Sequence, residues 1–178
     1  MRRAAVALLL AAAPAAAQDA NRYTGRPDPA TGLTGPYDPQ NPFARILHGE
    51  QPAKATTVYE DARVLVFMPL TMVRPGHVLV IPKRLGARNL LDLTPDELRD
   101  CLVAAQKAAR AQVAALGATG FTITQNNGIA SNQHVFHPHF HVVPQFTPPL
   151  PSRPDADRNT PAELQAMAAK LRAAWPKD

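Results

Sequence analysis

The sequence predicts an α+β domain: a mainly antiparallel sheet with one long helix, a short N-terminal helix and a further C-terminal helix. Three features carry this expectation. HVLVIP (77–82) is an apolar, β-branched run suited to a buried central strand. Thr94-Pro95-Asp96-Glu97 combines a capping threonine, a proline at the first helical position and a glutamate that can complete a capping box. VFHPHFHVVP (135–144) alternates at the two-residue period of a strand.

The remaining elements follow in chain order. FARILHG suggests a short helix ended by Gly49, and TTVYE (56–60) and RVLVFM (63–68) read as strands. The helix begun at Thr94 should run to about Leu116 and stop at Gly117, with Leu98, Cys101, Leu102, Ala105 and Ala109 on one face. FTITQN (121–126) is a further strand, and NGIASNQ (127–133) is a polar loop. After Phe146 a proline-rich stretch leads to Thr160-Pro161-Ala162-Glu163, which repeats the capping pattern and predicts a helix over 161–175.

The first residues read as a targeting segment. Arg2 and Arg3 precede a short apolar run that ends at Ala15-Ala16-Ala17, the arrangement of a secretory signal peptide cleaved after Ala17. The run is shorter than the roughly 20 residues a membrane span needs. Export to the periplasm or beyond is therefore expected, with no membrane partner after cleavage. Loss of Arg2 and Arg3 lowers the formal charge from +5 to +3, a mild excess that permits an anionic ligand but does not suggest a nucleic-acid binder, which usually shows a basic stripe. A single cysteine, Cys101, allows no internal disulfide and reads as buried packing. The chain thus divides into 1–17 signal peptide, 18–40 extended tether, 41–146 domain, and 147–178 linker and terminal helix.

Four of the six histidines fall between residues 134 and 141. On a strand, positions i and i+2 lie about 6.6 Å apart on one face. His137, His139 and His141 would then share a face, with Phe136, Pro138, Phe140 and Val142 on the other. Three chemistries compete for such a row: a solvated polar strand, a zinc or copper chelate with His77 as a distant ligand, and a nucleophilic imidazole. Residues 121–146 contain no Asp, Glu or Cys to complete a metal set. Gly128, Ser131, Asn132 and Gln133 can form an anion-binding concavity beside the row.

From Asn41 to Gln145 the chain resembles the histidine-triad (HIT) family. The resemblance rests on NPFARILHGEQPA, VYEDARVLVF, RPGHVLVIPK, and NNGIASNQ followed by HVFHPHFHVVP, in that order. It implies a HIT-like fold and a nucleotide hydrolase or transferase acting at an α-phosphate. His139 matches the histidine that attacks phosphorus, His141 a phosphate contact, and His137 an orienting residue. Asn126 and Gln133 match contacts on the phosphate and ribose side, Ser131 lies in the same loop, and His77 matches a histidine near the triad. The resemblance implies no cofactor, a nucleotide-like substrate and a homodimer with the long helix at its interface.

Three departures from the family pattern are visible. Asn41, Ala44 and Leu85 stand where many members carry three ligands of a structural zinc, so no zinc is expected. Pro69 stands where an aspartate holds the ribose hydroxyls. His134 replaces a Ser or Thr that helps the leaving group. Two rival readings stay open beside the enzyme: a periplasmic zinc- or copper-binding protein using the triad, and a non-catalytic nucleotide-binding module.

Overall fold

A computed structural model describes residues 32–50, 56–70, 72–150 and 159–177. The expected signal peptide and the tether up to residue 31 lie outside the described residues. Helix α1 (Pro42–Leu47) starts where Asn41 accepts hydrogen bonds from the N–H groups of Phe43 and Ala44, both at 3.0 Å. A proline at its first position has no N–H to leave unpaired.

Strands β1 (Thr57–Glu60) and β2 (Val64–Phe67) are joined by a turn in which the Asp61 carboxylate accepts from the N–H groups of Arg63 and Val64. Strand β3 (Val78–Pro82) is buried along its whole length, as its uninterrupted apolar run predicts. Helix α2 (Pro95–Leu116) has the expected capping box between Thr94 and Glu97 and ends at Gly117, whose φ of 68° is easily reached by glycine. Strands β4 (Gly120–Gln125) and β5 (Phe140–Gln145) and helix α3 (Pro161–Ala173) complete the order. The sheet runs β1-β2-β3-β5-β4, with every neighbouring pair antiparallel.

The two faces of this sheet have different occupants. Val64, Val66, Val78, Val80, Phe140 and Val142 pack beneath α2 and α3. Leu65, Phe67, Leu79 and Ile81 form a smaller cluster with Phe43 of α1 on the opposite face. His141 stands opposite Leu79 in the β3–β5 register and so belongs to that second face. Helix α3 lies on α2 and β1, where Leu164, Ala168 and Leu171 enter the main core. It covers the sheet face away from the histidines.

The sequence expectations need correction in three places. Residues 135–139 are not strand: β5 begins at Phe140, so His137 and His139 precede it in a bent segment. Pro138 explains this locally, because it brings no N–H to a ladder and restricts the residue before it. The buried face of α2 is centred on Cys101, Ala104, Ala105, Ala108 and Gln112. Leu102, one 100° step beyond Cys101, is 48% exposed. Finally, residues 32–40 do not behave as a tether. They dock on the domain through Arg88, which donates to the carbonyls of Pro36 and Gly32, and Asn89, which donates to the Leu33 carbonyl at 2.7 Å.

Candidate active site

The bend at Pro138 brings one backbone carbonyl to a histidine ring. Nδ1 of His139 lies 2.8 Å from the carbonyl oxygen of His137. A carbonyl can only accept, so Nδ1 carries the proton and Nε2 keeps its lone pair. Phe43 packs edge-on against the His139 ring at 5.1 Å between centroids, fixing its plane.

The His137 ring is fully buried and held at both nitrogens. Nε2–H donates to the Pro82 carbonyl at 2.9 Å, and Nδ1 faces the Tyr37 hydroxyl at 2.8 Å. The third histidine pairs differently. Nδ1 of His141 lies 2.9 Å from Nε2 of His77, with the two rings stacked at 5.1 Å.

Desolvation favours neutral imidazoles throughout this cluster. Burial, reinforced by His141, holds His139 down to about 3. Burial with His141 and His139 holds His77 at about 3, burial holds His137 at about 4, and burial also lowers His141. A buried, neutral ring with one nitrogen fixed as donor and the other bare is a nucleophile ready at neutral pH.

The loop between β4 and the triad is built from backbone turns. Ile129–Ser131 forms a single 3-10 turn flanked by Gly128 and Asn132 at φ of 77° and 64°. Glycine and asparagine tolerate that region. Gln133, expected as a ligand contact, is instead fully buried and spends its amide on backbone. Its oxygen accepts from the Gly128 N–H at 2.8 Å, and its nitrogen donates to the carbonyls of Arg88 and Val135. It therefore shapes the loop that precedes the triad. Asn126 is half-buried and donates weakly to the Asn132 carbonyl at 3.4 Å, while Ser131 is exposed. His134 is half-buried and near enough to His139 to act on its charge.

Four residues with roles here carried no sequence signal. Tyr37 lies in the stretch that reads as a tether, Phe43 reads only as part of the short helix, and Arg88 and Asn89 fall in a segment to which the sequence assigns no element. Each acts through a contact far along the chain.

A five-stranded antiparallel sheet with His137 and His139 just before β5, His141 on it and His77 just before β3 is the arrangement of a histidine-triad fold. The HIT domain family model matches residues 50–147, and the chain belongs to the HIT family. A HIT-like protein involved in cell-cycle regulation from Bartonella henselae superposes with a TM-score of 0.72 at 39% identity, covering 79% of this chain and 99% of that one. A zinc-bound histidine triad family protein from Mycobacterium smegmatis gives 0.61 at 34% identity, covering 74% and 90%. In sequence, the adenosine 5'-monophosphoramidase of Schizosaccharomyces pombe is 32% identical over 103 residues, 58% of this chain and 72% of the relative.

The structural zinc set that the family resemblance implies does not fit these residues. The Asn41 amide is committed to capping α1 and to the Asp38 carbonyl, Ala44 offers no donor, and Leu85 is a partly exposed leucine. The remaining position, His137, has Nδ1 against the Tyr37 hydroxyl and Nε2 against the Pro82 carbonyl. Cys101 is buried in the core with its thiol raised to about 12 by that burial.

Proposed function

We propose that this protein hydrolyses a nucleoside phosphoramidate or dinucleoside polyphosphate at its α-phosphate through a covalent nucleotidyl group on His139. The observation that carries the reading is the hydrogen bond from His139 Nδ1 to the His137 carbonyl, which leaves Nε2 unprotonated. Nε2 attacks phosphorus, an N–P bond forms, and the bond from phosphorus to the leaving amine or phosphate breaks. The leaving group takes a proton, for which His134, close enough to His139 to act on its charge, is the candidate donor. His141 donates to a phosphate oxygen while the charge develops. Water then attacks phosphorus and gives its proton back to His134, the N–P bond breaks with its electron pair returning to Nε2, and a nucleoside monophosphate leaves with His139 restored.

Pro69 follows the buried Met68 at the end of β2 and offers no side-chain acceptor for ribose hydroxyls. Binding energy should therefore come more from the phosphate side than from the sugar. The rival metal reading fares worse, since both ring nitrogens of His137 and Nδ1 of His139 are spent on protein partners. Among the described residues no three metal-ligating side chains converge.

The reading extends to assembly and location. β4 is one of the two edge strands, and Phe121 and Ile123 on it are 50% and 38% exposed, with Leu102, Val103 and Val113 of α2 also exposed. These apolar residues support a homodimer, testable by sedimentation of wild type against Phe121→Glu. The signal-like segment supports export with cleavage after Ala17, testable by N-terminal sequencing of the mature protein.

The deciding experiment is release of AMP from adenosine 5'-phosphoramidate by chelator-treated residues 18–178, with His139→Ala as control. Release by wild type and loss in the variant support the mechanism. Equal rates in both would overturn it, and silence in both would favour a binding module.

A further inference from the structure

Tyr37 lies 100 residues upstream of His137, yet their side chains meet inside the protein. His137 donates through Nε2 to the Pro82 carbonyl, so its Nδ1 is an acceptor in the neutral ring. The Tyr37 hydroxyl, 2.8 Å away, is therefore the donor. The same residue, His137, supplies the carbonyl that fixes the proton on His139 Nδ1.

The strap that delivers Tyr37 is anchored at several points. Arg88 and Asn89 hold the carbonyls of Gly32, Leu33 and Pro36. The Arg88 guanidinium also lies over the Phe136 ring at 4.6 Å, and Phe136 is one residue before His137. Gly32, at φ of 67°, sits where a Cβ would meet the Phe136 ring at 2.8 Å and Ile129 at 2.9 Å. At the other end Asp38 accepts from Asn41, the cap of α1. A free tether would show none of these contacts.

We propose that Tyr37 is a positioning residue for His139: by donating to His137 it fixes the ring whose backbone carbonyl sets the nucleophile's tautomer. The inference rests on His139 being the nucleophile. Without the hydroxyl, Nδ1 of His137 becomes a buried acceptor with no partner. The ring can then admit water, turn, or take a proton, and each outcome disturbs the carbonyl that holds His139. The charged and titratable groups around His137 are Tyr37 on the strap, Arg84 after β3, and His139 beside it; Arg84 and burial both oppose a charge on the ring.

The test compares wild type with Tyr37→Phe in the full mature chain, using two readouts. In AMP release from adenosine 5'-phosphoramidate, kcat should fall about tenfold with KM nearly unchanged, and the acid limb of the pH profile should move to higher pH. In histidine nitrogen–proton NMR spectra, His137 should titrate at higher pH, and His139 should lose its single tautomer. A structural role alone would lower the urea midpoint and leave kcat of the folded protein and both histidine signals as in wild type, and that result overturns the proposal. If wild type releases no AMP, the nucleotidyl-transfer reading fails. The NMR comparison still decides whether Tyr37 governs the tautomers of His137 and His139, and unchanged tautomers in Tyr37→Phe would end the proposal. Gly32→Val, which crowds Phe136 without touching the hydroxyl, should reproduce the spectral changes if the strap delivers Tyr37.

Discussion

His77 Nε2 lies 2.9 Å from His141 Nδ1, and His77 Nδ1 is buried with no hydrogen-bond partner. This asymmetry indicates which ring donates. If His141 donated, His77 would carry its proton on the orphaned Nδ1, a buried N–H without an acceptor. Bare acceptors are the better tolerated of the two. His77 therefore donates, and His141 keeps its own proton on Nε2, where an anionic phosphate can take a hydrogen bond. His77→Phe keeps an aromatic ring but removes that donor. It should lower kcat about five- to tenfold, the worth of one hydrogen bond, while the protein stays folded by circular dichroism. A variant as fast as wild type would remove His77 from the site.

Much of the fold was legible because its signals are local. The capping boxes at Thr94 and Thr160, the stop at Gly117 and the apolar run of β3 each depend on a few adjacent residues. The histidines were legible as a cluster for the same reason. Their geometry was not, because it depends on a bend at Pro138 and on partners at Tyr37, Pro82 and His77, 55 to 100 residues away. Distant contacts leave no period in the sequence. A segment such as residues 32–40, rich in Pro and Gly, looks like a tether until Arg88 and Asn89 are seen to hold it.

Acid should unfold this protein through its histidines before its carboxylates. His77 and His139 are held down to about 3 and His137 to about 4 in the folded state, against about 6.5 in an unfolded chain. Below pH 6.5 the unfolded state binds protons that the folded state refuses, so stability falls as pH falls through that window. Each such histidine removes up to about 1.4 kcal/mol per pH unit. Glu97, lowered to about 2 by its hydrogen bond from Arg84, adds its loss only in the ordinary carboxylate range and below. Urea midpoints at pH 7.5, 6.0 and 5.0 should decline in that order at constant slope; a flat series contradicts the burial of neutral rings.

Gln112 is a buried polar residue on the helix face that covers the sheet, and its Nε2 donates to the carbonyls of Gly76 and Val142, both at 3.0 Å. It ties α2 to the start of β3 and to β5 at the positions flanking His77 and His141. Gln112→Leu fits the space but deprives two buried carbonyls of their shared donor. The expected cost is about 1–3 kcal/mol, read from the urea midpoint. A neutral or stabilising result would mean that water or relaxed backbone satisfies those oxygens.

Helix α3 stabilises the sheet from the side opposite the histidines. Leu171 is almost fully buried in the main core, Trp175 stacks on Tyr59 of β1 at 4.7 Å and 9°, and Arg172 donates to the Thr57 carbonyl. Removing the Leu171 side chain should cost about 2–5 kcal/mol, the range for truncating a buried leucine. The candidate active site lies across the sheet, so turnover by the folded fraction should not change. Leu171→Ala thus separates two roles for the C-terminal segment. A lower urea midpoint with unchanged kcat and KM means α3 closes the core, whereas an altered KM at full stability would mean that it reaches the substrate.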